Sequence, residues 1–288
     1  MALAEANRKF FDSLTDTYDD APWRAKAITQ ITDAVREHLN WIGVNWAKPE
    51  PNAGVEEAEK VRLLDYACGT GLISRALGPY VTTTTGIDIS PNMVSAFNKR
   101  ATDVGIPQSQ VSAVVGNLFT PESSDALAEP EYFNFDIVAV GSAYHHFEDV
   151  TLATKRLVER LKPGGVLFII DFIQGAGMDH SHEHGHHGYV HHGPNNDHGH
   201  GHAHHAHHGY SHTDIPEDVL KELPKEMIDS IKVTDFDEAH VRAFFEEAGL
   251  VEFAISVLDE KLYMEYSGRS MERTVFFAKG MKPVAQDI

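Results

Sequence analysis

The sequence predicts a doubly wound α/β fold, a mostly parallel sheet with helices on both faces. Three observations carry that expectation. From Val61 onward, short apolar runs of strand length take turns with amphipathic stretches of helix length. The first run enters a glycine-bearing turn, LLDYACGTGLIS, at the place where open α/β sheets receive their ligands. The run GGVLFIIDFI is apolar nearly throughout, as a central strand covered on both faces must be.

Ahead of the sheet, the first forty residues read as helical. APWRAKAITQITDAVREHLNWI sets Pro22 near a helix start and Ile28, Ile31, Val35, Leu39 and Ile42 at the three-to-four spacing of one buried face. Residues 43–60 lose that pattern, with Pro49, Pro51 and Gly54 among acidic residues. Residues 1–60 are therefore expected to form a helical cap and a linker or surface loop. VRLLDY is predicted as the first strand, with a helix through Leu77; TTTTGIDI is the second. SPNMVSAFNKRATDVG follows as a helix with Ser90 as N-cap and Pro91 in the first helical position. VSAVVG and FDIVAVG are the third and fourth strands, DVTLATKRLVERL a helix, and GGVLFIIDFI the fifth strand. A histidine-rich stretch, 178–212, comes next. Beyond it DFDEAHVRAFFEEAGL presents Phe244, Phe245 and Leu250 on a helix face that ends at Gly249. VEFAISVL and RTVFFAKG supply two more strands. The expected organisation is one domain, 61–288, interrupted by the histidine-rich stretch.

Composition narrows the function. Lys and Arg number 24 against 43 Asp and Glu, a formal charge of −19. With no basic stripe, a nucleic-acid partner is excluded. Protonating all 19 histidines would bring the charge to zero, so the charge of the chain depends on pH near neutrality. The single cysteine, Cys68, rules out an internal disulfide framework and fits a reducing compartment. MALAEANRKFFDSL has no signal-peptide core, and no apolar run is long enough to cross a membrane. The expectation is a soluble intracellular protein, cytoplasmic or nuclear.

Ala67, Gly69 and Gly71 let the backbone after the first strand turn tightly and approach a ligand, with helix N–H groups behind. A dinucleotide loop would place a third glycine where Ser74 stands, and a P-loop would need Gly-Lys-Ser/Thr. Neither pattern is met, and a plain tight turn remains the alternative. Asp88 ends the second strand 23 residues after Asp65, where a carboxylate can accept both hydroxyls of an adenosine ribose.

LDYACGTG, GIDISPNMV, VGNLF, FDIVAVGSAYHHFED and LKPGGVLFIIDF, in that order, resemble the motifs of class I S-adenosylmethionine-dependent methyltransferases. The resemblance runs from Val61 to Gly280 apart from the histidine-rich insertion. It implies the Rossmann-like sheet of that family. It leans toward the branch that methylates small molecules such as quinones, sterols and fungal metabolites, although fungal regulatory methyltransferases share the framework. By the same resemblance, Asp65 and carbonyls near Ala67 would hold the methionine ammonium, and Gly69 and Gly71 would give the cofactor room. Asp88 would grip the ribose, and Ile89 would line the adenine pocket. Asn117 and the Leu118 N–H would read the adenine edge; Asn117 stands where the family usually has an acid, and its amide carbonyl can accept the adenine amino proton. FFDSLTDTYDD is similar to the flap these enzymes fold over the cofactor, with Tyr18 as the contact. SAYHHFED offers His145 and His146 as general bases or as pocket-shaping residues, and Asp171 is a further candidate.

Branches that methylate planar amino groups carry Asn-Pro-Pro-Tyr or Asp-Pro-Pro-Tyr where GSAY stands here, and one cysteine cannot supply an arsenite-binding thiolate trio. The expected function is methyl transfer from S-adenosylmethionine to an O, N, C or S atom of a small molecule. The alternative is a regulatory or metal-responsive protein of the same fold that acts through protein partners or protein methylation.

Fifteen histidines fall in 178–212. Gly-His and His-His repeats cannot bury a core, so the stretch is expected to be a loosely ordered loop. It follows the fifth strand, where it could cover a site. Its imidazoles suit zinc, nickel or copper, in several partial shells rather than one defined site.

Overall fold

The computed structural model describes residues 2–47, 60–120, 126–174, 224–266 and 269–284. The predicted linker therefore lies mostly outside the described residues, and the histidine-rich stretch wholly so.

Seven strands form one sheet in the order β3-β2-β1-β4-β5-β9-β6. They are β1 (Arg62–Tyr66), β2 (Thr83–Asp88), β3 (Val111–Val115), β4 (Phe135–Gly141), β5 (Leu161–Phe172), β6 (Val251–Val257) and β9 (Val275–Met281). β1 to β5 pair in parallel, and β9 runs antiparallel between β5 and β6. A two-stranded hairpin, β7 (Leu262–Tyr266) with β8 (Arg269–Arg273), is inserted between β6 and β9. This is the doubly wound α/β arrangement the sequence predicts, with the hairpin as an unforeseen addition.

The alternation of side chains along the central strands explains the double cover. Leu64, Val138, Val140, Leu167 and Ile169 face one side, buried with Leu157 of α6 (Val150–Arg160) and Phe244 and Phe245 of α8 (Glu238–Glu247). Leu63, Ile137, Ala139, Phe168 and Ile170 face the other. There they meet Ile73 and Leu77 of α4 (Leu72–Leu77) and Ile31 and Val35 of α2 (Pro22–Glu37). Each large apolar side chain so buried contributes roughly 1.5–3 kcal/mol. Ile42 of α3 (Leu39–Ile42) belongs to the same side, so the predicted helical face covers the sheet.

Local signals set the helix starts. Ser90 Oγ accepts the Met93 N–H at 3.1 Å with Pro91 first in α5 (Pro91–Asp103), as the sequence predicts. Asp149 and Asp237 cap α6 and α8 in the same way, at 2.8 and 2.7 Å. Two further helices complete the carboxyl edge of the sheet, α1 (Ala2–Leu14) and the short α7 (Lys225–Ser230). Asp12 of α1 accepts the Ser90 hydroxyl at 2.6 Å, and Asn7 Nδ2 donates to the His146 carbonyl at 3.2 Å. These two bonds pin α1 across the ends of β2 and β4.

Candidate active site

The loop after β1 is built on left-handed backbone. Ala67, Gly69 and Gly71 have φ of 55°, 48° and 90°. At Gly71 a side chain would meet strain and the Phe97 ring, 3.0 Å from the place of its Cβ. Ala67 carries the left-handed turn without that excuse, as does Ser142 (φ 53°) at the end of β4. Strained residues of this kind persist where the surroundings over-determine them, commonly beside ligand sites.

Asp65 is 1% exposed and lines neither cleft described below. Its Oδ2 accepts the Ser74 N–H at 3.0 Å and the Ser74 hydroxyl at 2.6 Å. Burial pushes its carboxyl up to about 7 against the pull of those two bonds. Ser74, read in the sequence only as a missing glycine, is thus the partner that satisfies a buried carboxylate. The expected contact of Asp65 with a ligand ammonium has the loop in between.

Asp88 closes β2 with both oxygens anchored, Oδ2 by the Gly69 N–H at 2.8 Å and Oδ1 by the Ser90 N–H at 2.9 Å. Burial raises its carboxyl above the ordinary value, opposed by those N–H groups. Each oxygen has a lone pair left for a ligand. It lines a cleft together with Ile89, Met93 and Asn117, and the cleft holds about 1560 Å³ of empty space including its mouth.

The other expected adenine contacts are differently engaged. Asn117 lines the cleft, but its Oδ1 already accepts the Phe119 N–H at 2.9 Å and faces the Tyr66 hydroxyl at 3.4 Å. The Leu118 N–H donates to Tyr66 Oη at 3.3 Å, and Leu118 does not line the cleft. The Leu118 N–H, expected at the adenine edge, is thus engaged by Tyr66 in this structure. Tyr66 went unnoticed in the sequence, where it reads as one more buried strand residue. Its signal was the hydroxyl, which needs partners once the ring is buried.

A second cleft, of about 1300 Å³ including its mouth, adjoins the first. It is walled by Trp23 and Ile28 of α2, Met227 of α7, Phe172, and the inner face of the hairpin. Ala67, Gly69, Gly141, Ser142, Tyr18 and His146 line both clefts, so the two meet at the carboxyl ends of β1 and β4 beneath α1.

His145 and His146 sit in a single 3-10 turn after β4, with ring centroids 4.0 Å apart. His145 Nδ1 is 2.8 Å from Asp171 Oδ1, and with a carboxylate as acceptor Nδ1 is the donor. Asp171 is 0% exposed and also accepts the Phe172 N–H at 2.8 Å and the His145 N–H at 3.2 Å. Burial alone would raise its carboxyl; the His145 charge and these bonds outweigh it and hold the group below the usual carboxylate range. The two residues meet because β4 and β5 are neighbours, with Gly141 opposite Ile170.

His146 Nδ1 donates to the Ser230 carbonyl at 2.6 Å, and its ring meets Phe11 edge-on at 5.2 Å. Burial and the adjacent His145 push it down to about 3. It stays neutral at ordinary pH and binds a proton poorly. Only the second cleft is lined by His145. Among the described residues, no group of three or more His, Cys, Asp or Glu is placed to hold a metal ion. The zinc or nickel reading of 178–212 concerns residues outside that set. No helix among the described residues is long and apolar enough to cross a membrane.

A family model described as a methyltransferase domain matches residues 64–169, the stretch from β1 through β5 that carries the glycine loop, Asp88 and the histidine pair. An uncharacterised methyltransferase of Schizosaccharomyces pombe is 38% identical over 135 residues, 46% of this chain and 47% of that protein. The 2-methyl-6-phytyl-1,4-hydroquinone methyltransferase of Synechocystis is 32% identical over 158 residues, 54% of this chain and 43% of that one. The chain thus spans about half the length of the curated relatives it matches. In architecture it is similar to a SAM-dependent methyltransferase from Anabaena variabilis, with a TM-score of 0.57 at 14% identity, covering 98% of this chain and 96% of that one.

Proposed function

Because the chain carries a methyltransferase domain of the class I, S-adenosylmethionine-dependent type, we propose that it moves the methyl group of S-adenosylmethionine onto a hydroxyl of a small, largely apolar molecule. The observation that carries this reading is the shared wall. One cleft holds the carboxylate suited to a ribose, the other holds the histidine suited to a proton, and they open onto each other at Gly141 and Ser142.

The residues present fit the donor. Asp88 is aimed into the first cleft with lone pairs to spare for two ribose hydroxyls. Gly69 leaves open space where a Cβ would stand. Ile89 and Met93 offer an apolar slot for a base, and Asn117 stands at its edge. Phe11 and Tyr18, from the N-terminal segment, close over both clefts. The donor supplies a methyl group already activated on a sulfonium. The chain therefore has to align the acceptor, exclude water and take up a proton.

In this reading the proton goes to His145 Nε2. Asp171 keeps Nδ1–H in place and stabilises the imidazolium as it forms. His146, held neutral, shapes the wall instead. Catalysis by His145 and positioning by His146 thus separate two residues that the sequence offered as equals. The walls from α1, α2 and the hairpin enclose the second cleft, which favours a small acceptor over a protein side chain. Relatives named as a hydroquinone methyltransferase and as a ubiquinone-biosynthesis O-methyltransferase lend weight to a phenolic hydroxyl.

The test is turnover on a panel of phenols, hydroquinones, thiols, amines and peptides, followed by S-adenosylhomocysteine release. Phenols or hydroquinones should react, and His145→Gln should slow them about 100-fold or more. Reaction confined to peptide substrates would overturn the reading in favour of the regulatory alternative. The reading also includes zinc or nickel binding by the imidazoles of 178–212, on composition alone. Deleting Asp179–His212 leaves four histidines and should abolish most zinc uptake in calorimetry; undiminished uptake would place the metal elsewhere.

A further inference from the structure

Two guanidinium groups line the second cleft, and they differ in how they are paired. Arg273 of β8 is bonded to Asp235 at 2.7 Å. Arg24 of α2 is half-buried and lies over aromatic rings, 4.1 Å from the centroid of Tyr18 and 4.9 Å from that of Trp23. Among the described residues it is paired with no carboxylate; Asp19, which lines the same cleft, is ion-paired with Arg100 instead. Stacking fixes the plane of a guanidinium but supplies no anion for its N–H groups.

The place of Arg24 on its helix adds to this. It stands in the first turn of α2, which contains no acid, and the N-cap residue Ala21 makes no side-chain cap bond. A helix start favours negative charge, so the helix itself disfavours a cation there and joins it in attracting an anion. Ala27, Ile28 and Met264 make the surrounding wall apolar, and an ion pair formed against such a wall is less screened than one on an open surface.

Both ligands of the reaction have access to this position. Tyr18, over which Arg24 lies, lines both clefts. Burial raises its hydroxyl against the pull of the Arg24 charge, and the Asp88 charge acts in the same direction as burial, so Tyr18 stands within the field of both groups. Gly69, whose N–H is bonded to Asp88, also lines both clefts. A donor with its ribose at Asp88 can therefore pass its methionine arm by Gly69 into the cleft that Arg24 lines. An acid group on the acceptor enters the same cleft, where His145 is also a wall residue.

We propose that Arg24 is a carboxylate-binding residue, and that a ligand of the second cleft brings a carboxylate to it. The methionine arm of the donor and an acid group on the acceptor present the same chemistry, and experiment separates the two sources. This rests on the donor and acceptor clefts being as assigned above.

Calorimetry on the full chain with two pairs of probes makes the separation. The first pair is S-adenosylhomocysteine and S-adenosyl-3-thiopropylamine, which differ in the carboxylate alone. The second is 4-hydroxybenzoate and 4-hydroxyacetophenone, titrated with S-adenosylhomocysteine present. In at least one pair the wild type should bind the carboxylate at least about tenfold more tightly, as expected for hydrogen bonds between charged partners. Arg24→Met keeps an apolar stem against Tyr18 and Trp23 and should abolish that preference. Arg24→Lys, a cation without the planar fork, should keep part of it. Loss in the first pair assigns the donor's carboxylate, and loss in the second assigns the acceptor's. Absence of a preference in both pairs for the wild type, or a preference that survives in Arg24→Met, would overturn the proposal and leave the donor cleft standing. A wild type that binds neither adenosine compound would overturn the reading of the donor cleft, and the proposal with it.

Discussion

Replacing Asp171 with Asn tests the proton-accepting arrangement at its most constrained point. The carboxylate accepts three hydrogen bonds: His145 Nδ1–H at 2.8 Å, Phe172 N–H at 2.8 Å and His145 N–H at 3.2 Å. An amide has one accepting oxygen and one donating nitrogen. With the oxygen placed toward Phe172 and His145 Nδ1, the NH₂ confronts the His145 N–H. With the amide flipped, the NH₂ confronts His145 Nδ1 and leaves the Phe172 N–H unbonded, which drives the ring to the tautomer with its lone pair on the wrong nitrogen. Either way one backbone donor is orphaned in a site with no solvent access, a cost of about 1–3 kcal/mol. The flipped form also removes the base, worth about 10²-fold or more in turnover. Urea unfolding and turnover on an active phenol from the panel read the two effects separately. A variant destabilised by that amount and equally active would refute the role of the dyad and reduce Asp171 to a loop anchor.

Two buried groups should shape the acid side of the stability profile in opposite directions. Asp65, raised to about 7, binds its proton more tightly folded than unfolded, so its contribution falls as pH rises from about 4 to 7. His146, lowered to about 3, contributes stability that is lost as pH falls from about 6.5 toward 3, softened by the part of its ring open to the clefts. Asp65→Asn should leave a profile that rises with pH in that window, and His146→Gln one that falls, each by up to about 1.4 kcal/mol per pH unit; parallel profiles in urea titrations would contradict both assignments. Asn117→Asp keeps an oxygen for the Phe119 N–H and the Tyr66 hydroxyl. It should hold or raise affinity for S-adenosylmethionine in calorimetry, and a fall of tenfold would show that the amide nitrogen makes the contact.

What the sequence made legible follows from how local each signal is. The strands of the central sheet announce themselves because both their faces are buried, and Ser90 with Pro91 marks a helix start within four residues. The hairpin stayed hidden because its inward positions are Leu262, Met264, Met271 and Arg273, with no β-branched residue and a charge in the pattern. The candidate site divides in the same way. Asp88 and the glycines belong to one loop and its neighbouring strand, so their proximity is legible in the sequence. The pairing of His145 with Asp171 depends on β4 lying beside β5, and the bond of Leu118 to Tyr66 depends on where a buried hydroxyl finds its donor. Arg273 lies on the far side of the histidine-rich stretch from the glycine loop and enters the cleft only through the fold.

The central claim is that the cleft at Asp88 binds S-adenosylmethionine. Titration of S-adenosylmethionine into the wild type and into Asp88→Ala tests it most directly. Removing a carboxylate that accepts two ribose hydroxyls should cost about 2–4 kcal/mol, some 30- to 1000-fold in Kd. The variant also frees the Gly69 and Ser90 N–H groups, so its circular dichroism and urea midpoint must be recorded beside the titration to establish that it is folded. A folded variant with binding weakened by that factor is the predicted result. A folded variant that binds as tightly as the wild type would contradict the account.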